Sequence, residues 1–284
     1  MVKFKGKNSL KNQIKEKRPT DLMGPAHLLL PVKRDWLRFV ISPLRFQIQA
    51  SCWSIQVSAV TEALYNIKNP RKKISLSPQW LLHRVIKPNA KSLAITNYNQ
   101  VTRILRSEGI CLERNCKFLG FLPKKYKPKA KNPFFIIEDA IERKSVDEHE
   151  VLLWLDQGPV LGVLPVSDEL QNLRDGEVYE GSTAKPGDKH TLLIYGYETV
   201  KGVNVWKVRS SWGIGWSTKG CGYVIRQSSQ AGSTRSLFES IWKPEVIVCT
   251  LHYYYLLLAF CVCNNKRVKC GRARKRIPKC NLTS

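Results

Sequence analysis

Ser51-Cys52-Trp53-Ser54 opens a stretch in which apolar residues recur at Trp53, Val57, Val60, Leu64 and Ile67. That four-three-four-three spacing lays them along one stripe, and predicts a helix buried on one side. Lys68-Asn69-Pro70 supplies its stop. Cys52 falls in the first turn, where free backbone N–H groups and the positive helix end favour thiolate over thiol. Taken alone, Cys52 is better read as a small buried hydrophobe, as most lone cysteines are. What the rest of the chain brings to it decides between the two.

Upstream of the helix, residues 1–32 form a basic, weakly structured lead-in, broken by Gly24-Pro25 and Leu30-Pro31. Downstream, Ser77 is placed to cap a short helix with Pro78 at its first position, and a second helix is predicted over Asn99–Ser107, stopped by Gly109. Residues 113–133 are Lys/Pro-rich and read as a solvated connector. Val146 to Leu155 is a further helix candidate. Strands are then expected at Val160–Val166, Gly176–Tyr179, His190–Tyr197, Asn204–Arg209 and Gly222–Arg226, two of them joined as a hairpin. A helical part, 33–133, thus precedes a strand-rich part, 134–243. The expected class is α+β, two lobes with a cleft between.

The 284 residues carry 47 Lys+Arg against 22 Asp+Glu, a formal charge of +25. Residues 1–38 have a net charge of +7 and residues 243–284 a net of +8, so most of the excess lies in two tails. Basic tails suit an anionic membrane surface or nucleic acid. No zinc-ligand spacing accompanies them, and a basic patch alone does not make a nucleic-acid reader. Neither a metal nor a cofactor is expected. Within the tail 244–284, Val246 to Cys263 are eighteen residues without a charge, the lower limit for a bilayer span, with a basic cluster after them. His252 and three consecutive tyrosines count against the span, leaving a buried segment or an unstructured tail as the other readings. Nine cysteines, four of them in the last twenty-four residues, do not look like a disulfide framework. Met1 to Lys17 lacks the apolar run of a secretory signal, so the expectation is a cytoplasmic monomer.

There are five histidines. His27 and His252 lie in the tails, and His83 and His149 in helical patterns. Only His190 opens a strand in the β-rich half, where it could face a cleft opposite Cys52. A nucleophilic thiol needs such a base within hydrogen-bond reach, itself oriented by a third group.

On these residues the chain resembles the papain family of cysteine proteases across most of 33–227. Asp35-Trp36 is similar to the family's mature opening, Gln47 to Trp53 to its nucleophile segment, and Ile74 to Gln79 to its Leu-Ser-Glu-Gln helix start. His190 to Tyr197 resembles the His-Ala-Val…Gly-Tyr strand, and Trp206 to Trp216 the Trp-x-x-x-Asn-Ser-Trp-Gly-x-x-Trp block. The 138 residues from Cys52 to His190 fall in the family's range of about 130–150. The resemblance implies a papain-like fold with a helical left lobe and an antiparallel β-barrel-like right lobe. It also implies Cys52 as nucleophile, His190 as its partner in a thiolate–imidazolium pair, and Gln47 with the Cys52 N–H as an oxyanion hole. Trp53, Trp212 and Trp216 would belong to the cleft, Trp212 over His190 and Trp216 on the leaving-group side. Both later tryptophans are equally compatible with core between the lobes.

Four departures bear on activity. Ser210 stands where the family's orienting Asn is expected, and its hydroxyl is shorter. Gln47 precedes Cys52 by five positions, one fewer than in the family, and the glycines of that loop are gone. Residues 84–99 lack the double glycine that receives substrate backbone. Gln49 occupies the place of a disulfide cysteine, and no inhibitory pro-region precedes Lys33. The expected function is a cysteine-type peptidase of reduced efficiency acting on a peptide or protein. The alternatives are an inactive relative that binds peptides, and a basic scaffold whose tails bind anionic lipid or nucleic acid.

Overall fold

A computed structural model describes residues 30–123, 137–144, 146–183, 187–227 and 236–246. The expected membrane segment, apart from Val246, lies outside them, as do most of both basic tails. Among the described residues no helix is long and apolar enough to cross a membrane.

Helix α1 spans Cys52–Lys68, α2 Pro78–Val85 and α3 Asn99–Ser107, followed by α4 at Glu148–Gln157 and a single turn, α5, at Asp168–Gln171. The end signals act as read: the Ser77 hydroxyl accepts from Trp80 N, and the helix begins on Pro78. At α4 the Asp147 carboxylate accepts from Glu150 N, and Gly158 ends the helix with a positive φ of 158°. Helix α1, however, is buried on almost every side rather than along one stripe, with Tyr65, Ile67 and Lys68 alone reaching solvent. The apolar periodicity missed this because the polar face is also enclosed, its three largest polar groups bonded to the backbone of other segments, while the Ser58 and Thr61 hydroxyls have no hydrogen-bond partner among the described residues. Gln56 donates to Arg209 O, Asn66 donates to Phe39 O and Ile74 O, and the Glu62 carboxylate accepts from Ser42 N and Leu76 N. Buried polar groups are tolerated when bonded in this way.

Eight strands make one sheet: β1 Arg34–Asp35, β2 Asp139–Arg143, β3 Val160–Pro165, β4 Val178–Tyr179, β5 Lys189–Val200, β6 Val203–Arg209, β7 Cys221–Ile225 and β8 Ser240–Glu245. Its order is β2-β8-β3-β5-β6-β7-β4, with β1 also on β5. All pairs are antiparallel except β4 with β7. The α+β class is as expected, with the sheet mostly antiparallel and open: among the described residues β2 and β4 end it without pairing each other. β5 and β6 meet at Lys201-Gly202, both with positive φ, a two-residue hairpin turn. Gly196 is required for β1 to lie on β5: a Cβ there would stand 2.1 Å from Arg34 O. Strands β1, β2 and β8 have no counterpart in the sequence reading. One apolar cluster joins α1, α2 and α3 to the Leu161, Leu193 and Trp242 face of the sheet, and a second packs α4 and the Trp206–Trp216 block on the other face.

Candidate active site

The site forms where the start of α1 meets the start of β5. Alternation along β5 sends Lys189 and Thr191 to one face and His190 to the other. Lys189 and Thr191 line a cavity of about 270 Å³ together with Cys52, Trp53 and Tyr98. Two larger hollows, of about 650 and 560 Å³, lie away from Cys52 and are lined by neither cysteine nor histidine.

On its own face, His190 is 2% exposed. Its Nε2 lies 3.1 Å from Ser210 Oγ, and its ring stacks on Trp212 with centroids 4.0 Å apart and planes 13° apart. The short hydroxyl of Ser210 therefore reaches the ring. It differs from a carboxamide oxygen in another way, since a carbonyl only accepts whereas a hydroxyl accepts or donates. An accepting partner fixes the proton on Nε2 and leaves Nδ1 as a base; a donating one puts the proton on Nδ1. Ser210 Oγ also takes the Trp212 N–H at 3.3 Å, so a second donor competes for its lone pairs. Ser210 positions the imidazole without dictating its tautomer.

Burial holds the His190 ring neutral, its pKa pulled down to about 3. The Cys52 thiol is 6% exposed, and burial pushes its pKa up. The Thr191 backbone and hydroxyl, then the backbone N–H groups of the first helical turn, pull the other way without cancelling it. The helix start thus favours thiolate as expected, but desolvation is the larger effect. At rest a neutral thiol and a neutral imidazole are favoured, not the ion pair the resemblance implied.

Gln47 sits in the loop before α1, bonded through Ser211: its N–H donates to Ser211 O at 2.8 Å, and the Ser211 hydroxyl donates to Gln47 Oε1 at 2.6 Å. Its Nε2 donates to Gln49 O at 3.2 Å, which leaves one amide hydrogen for an oxyanion. The missing glycine has a cost nearby. Gln49 takes φ of +76°, a left-handed conformation in a residue with a side chain. Phe46 and Ile48, flanking Gln47, are 68% and 51% exposed.

Of the three tryptophans, Trp53 lines the cavity and donates from Nε1 to Leu93 O, pinning the segment in which Ala94 to Tyr98 replace the expected double glycine. Trp212 covers His190. Trp216 is core: buried, with Nε1 donating to Leu170 O and its ring edge-on to Trp212 at 5.7 Å. It buttresses Trp212.

Sequence reading missed Thr191 and Tyr98. Tyr98, at the N-cap of α3, reaches across to β5, where its hydroxyl lies 2.8 Å from Thr191 Oγ1. The only signal was Thr191 at the position of the family's Ala in His-Ala-Val. Among the described residues no cluster of His, Cys, Asp and Glu could hold a metal ion.

Helices packed on an open sheet, with a thiol at a helix start and an imidazole on a neighbouring strand, define a papain-like architecture. Residues 30–240 match the papain family cysteine protease profile, and the chain belongs to that family. It is 25% identical over 213 residues to a cysteine protease of Blomia tropicalis, covering 72% of this chain and 63% of that protein. With cathepsin K of Gallus gallus the identity is 27% over 210 residues, covering 70% and 60%. The chain thus spans somewhat over half the length of the curated relatives it matches. Among solved structures, procathepsin L 3 of Tenebrio molitor superposes with a TM-score of 0.66 at 20% identity, over 78% of this chain and 72% of that one. The bromelain protease of Ananas comosus, solved as an inhibitor complex, gives 0.66 at 18%, over 76% and 100%.

Proposed function

We propose that the chain is a cysteine-type peptidase that hydrolyses peptide bonds through an acyl-enzyme, at reduced efficiency. The observation that carries this reading is the His190 ring clamped between Ser210 and Trp212, on the strand whose next residue, Thr191, lines the same cavity as Cys52. The thiol passes its proton to His190 Nδ1 as sulfur attacks the peptide carbonyl. The carbon–nitrogen bond then breaks, the amine leaves with that proton, and water hydrolyses the thioester. Gln47 and the Cys52 N–H are the donors assigned to the oxyanion. The substrate is a peptide or protein, and the basic tails are proposed to add attraction to an anionic membrane surface.

A second reading is an inactive relative that binds peptides. The neutral resting pair and the side chains of Ala94 to Tyr98 along the cavity favour it. A peptidyl epoxide separates the two. Stoichiometric labelling of Cys52, abolished in His190→Ala, is expected for the enzyme. Labelling no faster than at half-buried Cys221 is expected for the binder.

A further inference from the structure

We propose that Thr191, held by Tyr98 across the cleft, is a positioning residue that supports the Cys52 sulfur with its hydroxyl, independently of His190. The inference rests on the peptidase reading only for the identity of Cys52 as the reacting group.

Three observations carry it. Cys52, Thr191 and Tyr98 line the same cavity. The Tyr98 and Thr191 hydroxyls are 2.8 Å apart, and both residues are buried. Tyr98 cannot easily move, since its ring stacks on Trp242 at 5.6 Å and it sits at the start of α3.

Proton counting gives the direction. Each hydroxyl has one proton. Burial keeps the Tyr98 phenol protonated well beyond the usual tyrosine range, so it always has a proton to give. With Tyr98 donating to Thr191 Oγ1, the Thr191 proton is free for sulfur. The Thr191 hydroxyl and backbone both favour the Cys52 thiolate. The Ala found at this position in the family motif has no such group. In this chain the Cys52 cavity therefore has an alcohol on the face of β5 opposite to that of the His190 imidazole. The remaining charged groups around the cavity are Glu142, Lys144, Lys189 and Glu239, of which Lys189 and Glu239 pair at 2.7 Å. Their charges balance, so they do not dominate the thiol.

The test is the pH profile of iodoacetamide alkylation at Cys52, read by mass spectrometry of its peptide in the full chain. Hydrolysis is not measured, so a chain that cleaves nothing still gives an answer. Thr191→Val keeps the shape and removes the hydroxyl, and is expected to raise the thiol pKa by about one unit, as for a lost hydrogen bond to a charged group. Thr191→Ser is expected to restore the wild-type profile. Tyr98→Phe, which keeps the stack on Trp242, is expected to shift it in the same direction by less, and serves if Thr191→Val does not fold. A wild-type profile in Thr191→Val, or in Tyr98→Phe where it alone folds, overturns the proposal. So does a Thr191→Ser profile displaced as far as that of Thr191→Val, which would mark a packing effect.

Discussion

The two walls of the candidate site are built by different means. The His190 wall stands on β5 and β6, where ladder bonds set the backbone, Ser210 N–H donates to Gly220 O, and Trp216 backs Trp212. The loop from Ser42 to Ser51 has no ladder beyond the single Phe46–Trp212 bridge. It is held by Glu62 at one end and Ser211 in the middle, carries a left-handed Gln49, and leaves the buried Ser51 hydroxyl without a hydrogen-bond partner among the described residues. Ladder bonding tolerates the exchange of a side chain, such as Ser for the orienting Asn. A loop that has lost a residue and its glycines passes the loss into backbone strain.

The largest effect should come from the rigid wall. With the native His190 ring near pH 3 and an unfolded value near 6.5, the unfolded chain binds the extra proton between those limits. Stability therefore rises with pH through that window and is lost as acid is added, by an amount on the order of a few kcal/mol. Urea unfolding at pH 7 and pH 4 should show the drop, and His190→Asn should flatten it. Equal slopes would mean that this wall is more open to water than the geometry describes.

Next in size is the tautomer. Ser210→Asn supplies an oxygen that only accepts and should raise turnover about tenfold in a folded variant. No gain would place the deficit in the loop. The smallest effect tests that loop directly. Gln49→Gly removes a left-handed cost of about 1–2 kcal/mol and adds glycine's own entropy, for a net gain of about 0.5–1 kcal/mol in unfolding experiments. A loss would show that the Gln49 side chain, not its backbone, is what the loop needs.

Much of this site could be read from the chain, because local chemistry wrote it there. Cys52 at a helix start, Ser77 before Pro78, His190 at a strand start and the Trp206–Trp216 block are each short patterns with a direct physical meaning. The rest depended on partners far away in sequence. Nothing in Asp139–Arg143 or Ser240–Glu245 announces that they pair with each other. The buried polar face of α1 follows no apolar period, since Gln56 finds its acceptor 153 residues away. The Tyr98–Thr191 contact spans 93 residues, with neither residue remarkable alone. Trp216 shows the converse: its motif is plain, but whether it borders a cleft or fills a core depends on the position of Leu170 O.

The irregularity between Ile194 and Gly196, where β5 changes step against β6, has a bearing on chemistry four residues upstream. Neighbouring positions of a strand present opposite faces, so a slip of one place would exchange the faces of His190 and Thr191, taking the alcohol out of the Cys52 cavity and the imidazole away from Ser210 and Trp212. A bulge fixes the count from the far end, as a notch stops a ratchet from advancing one tooth.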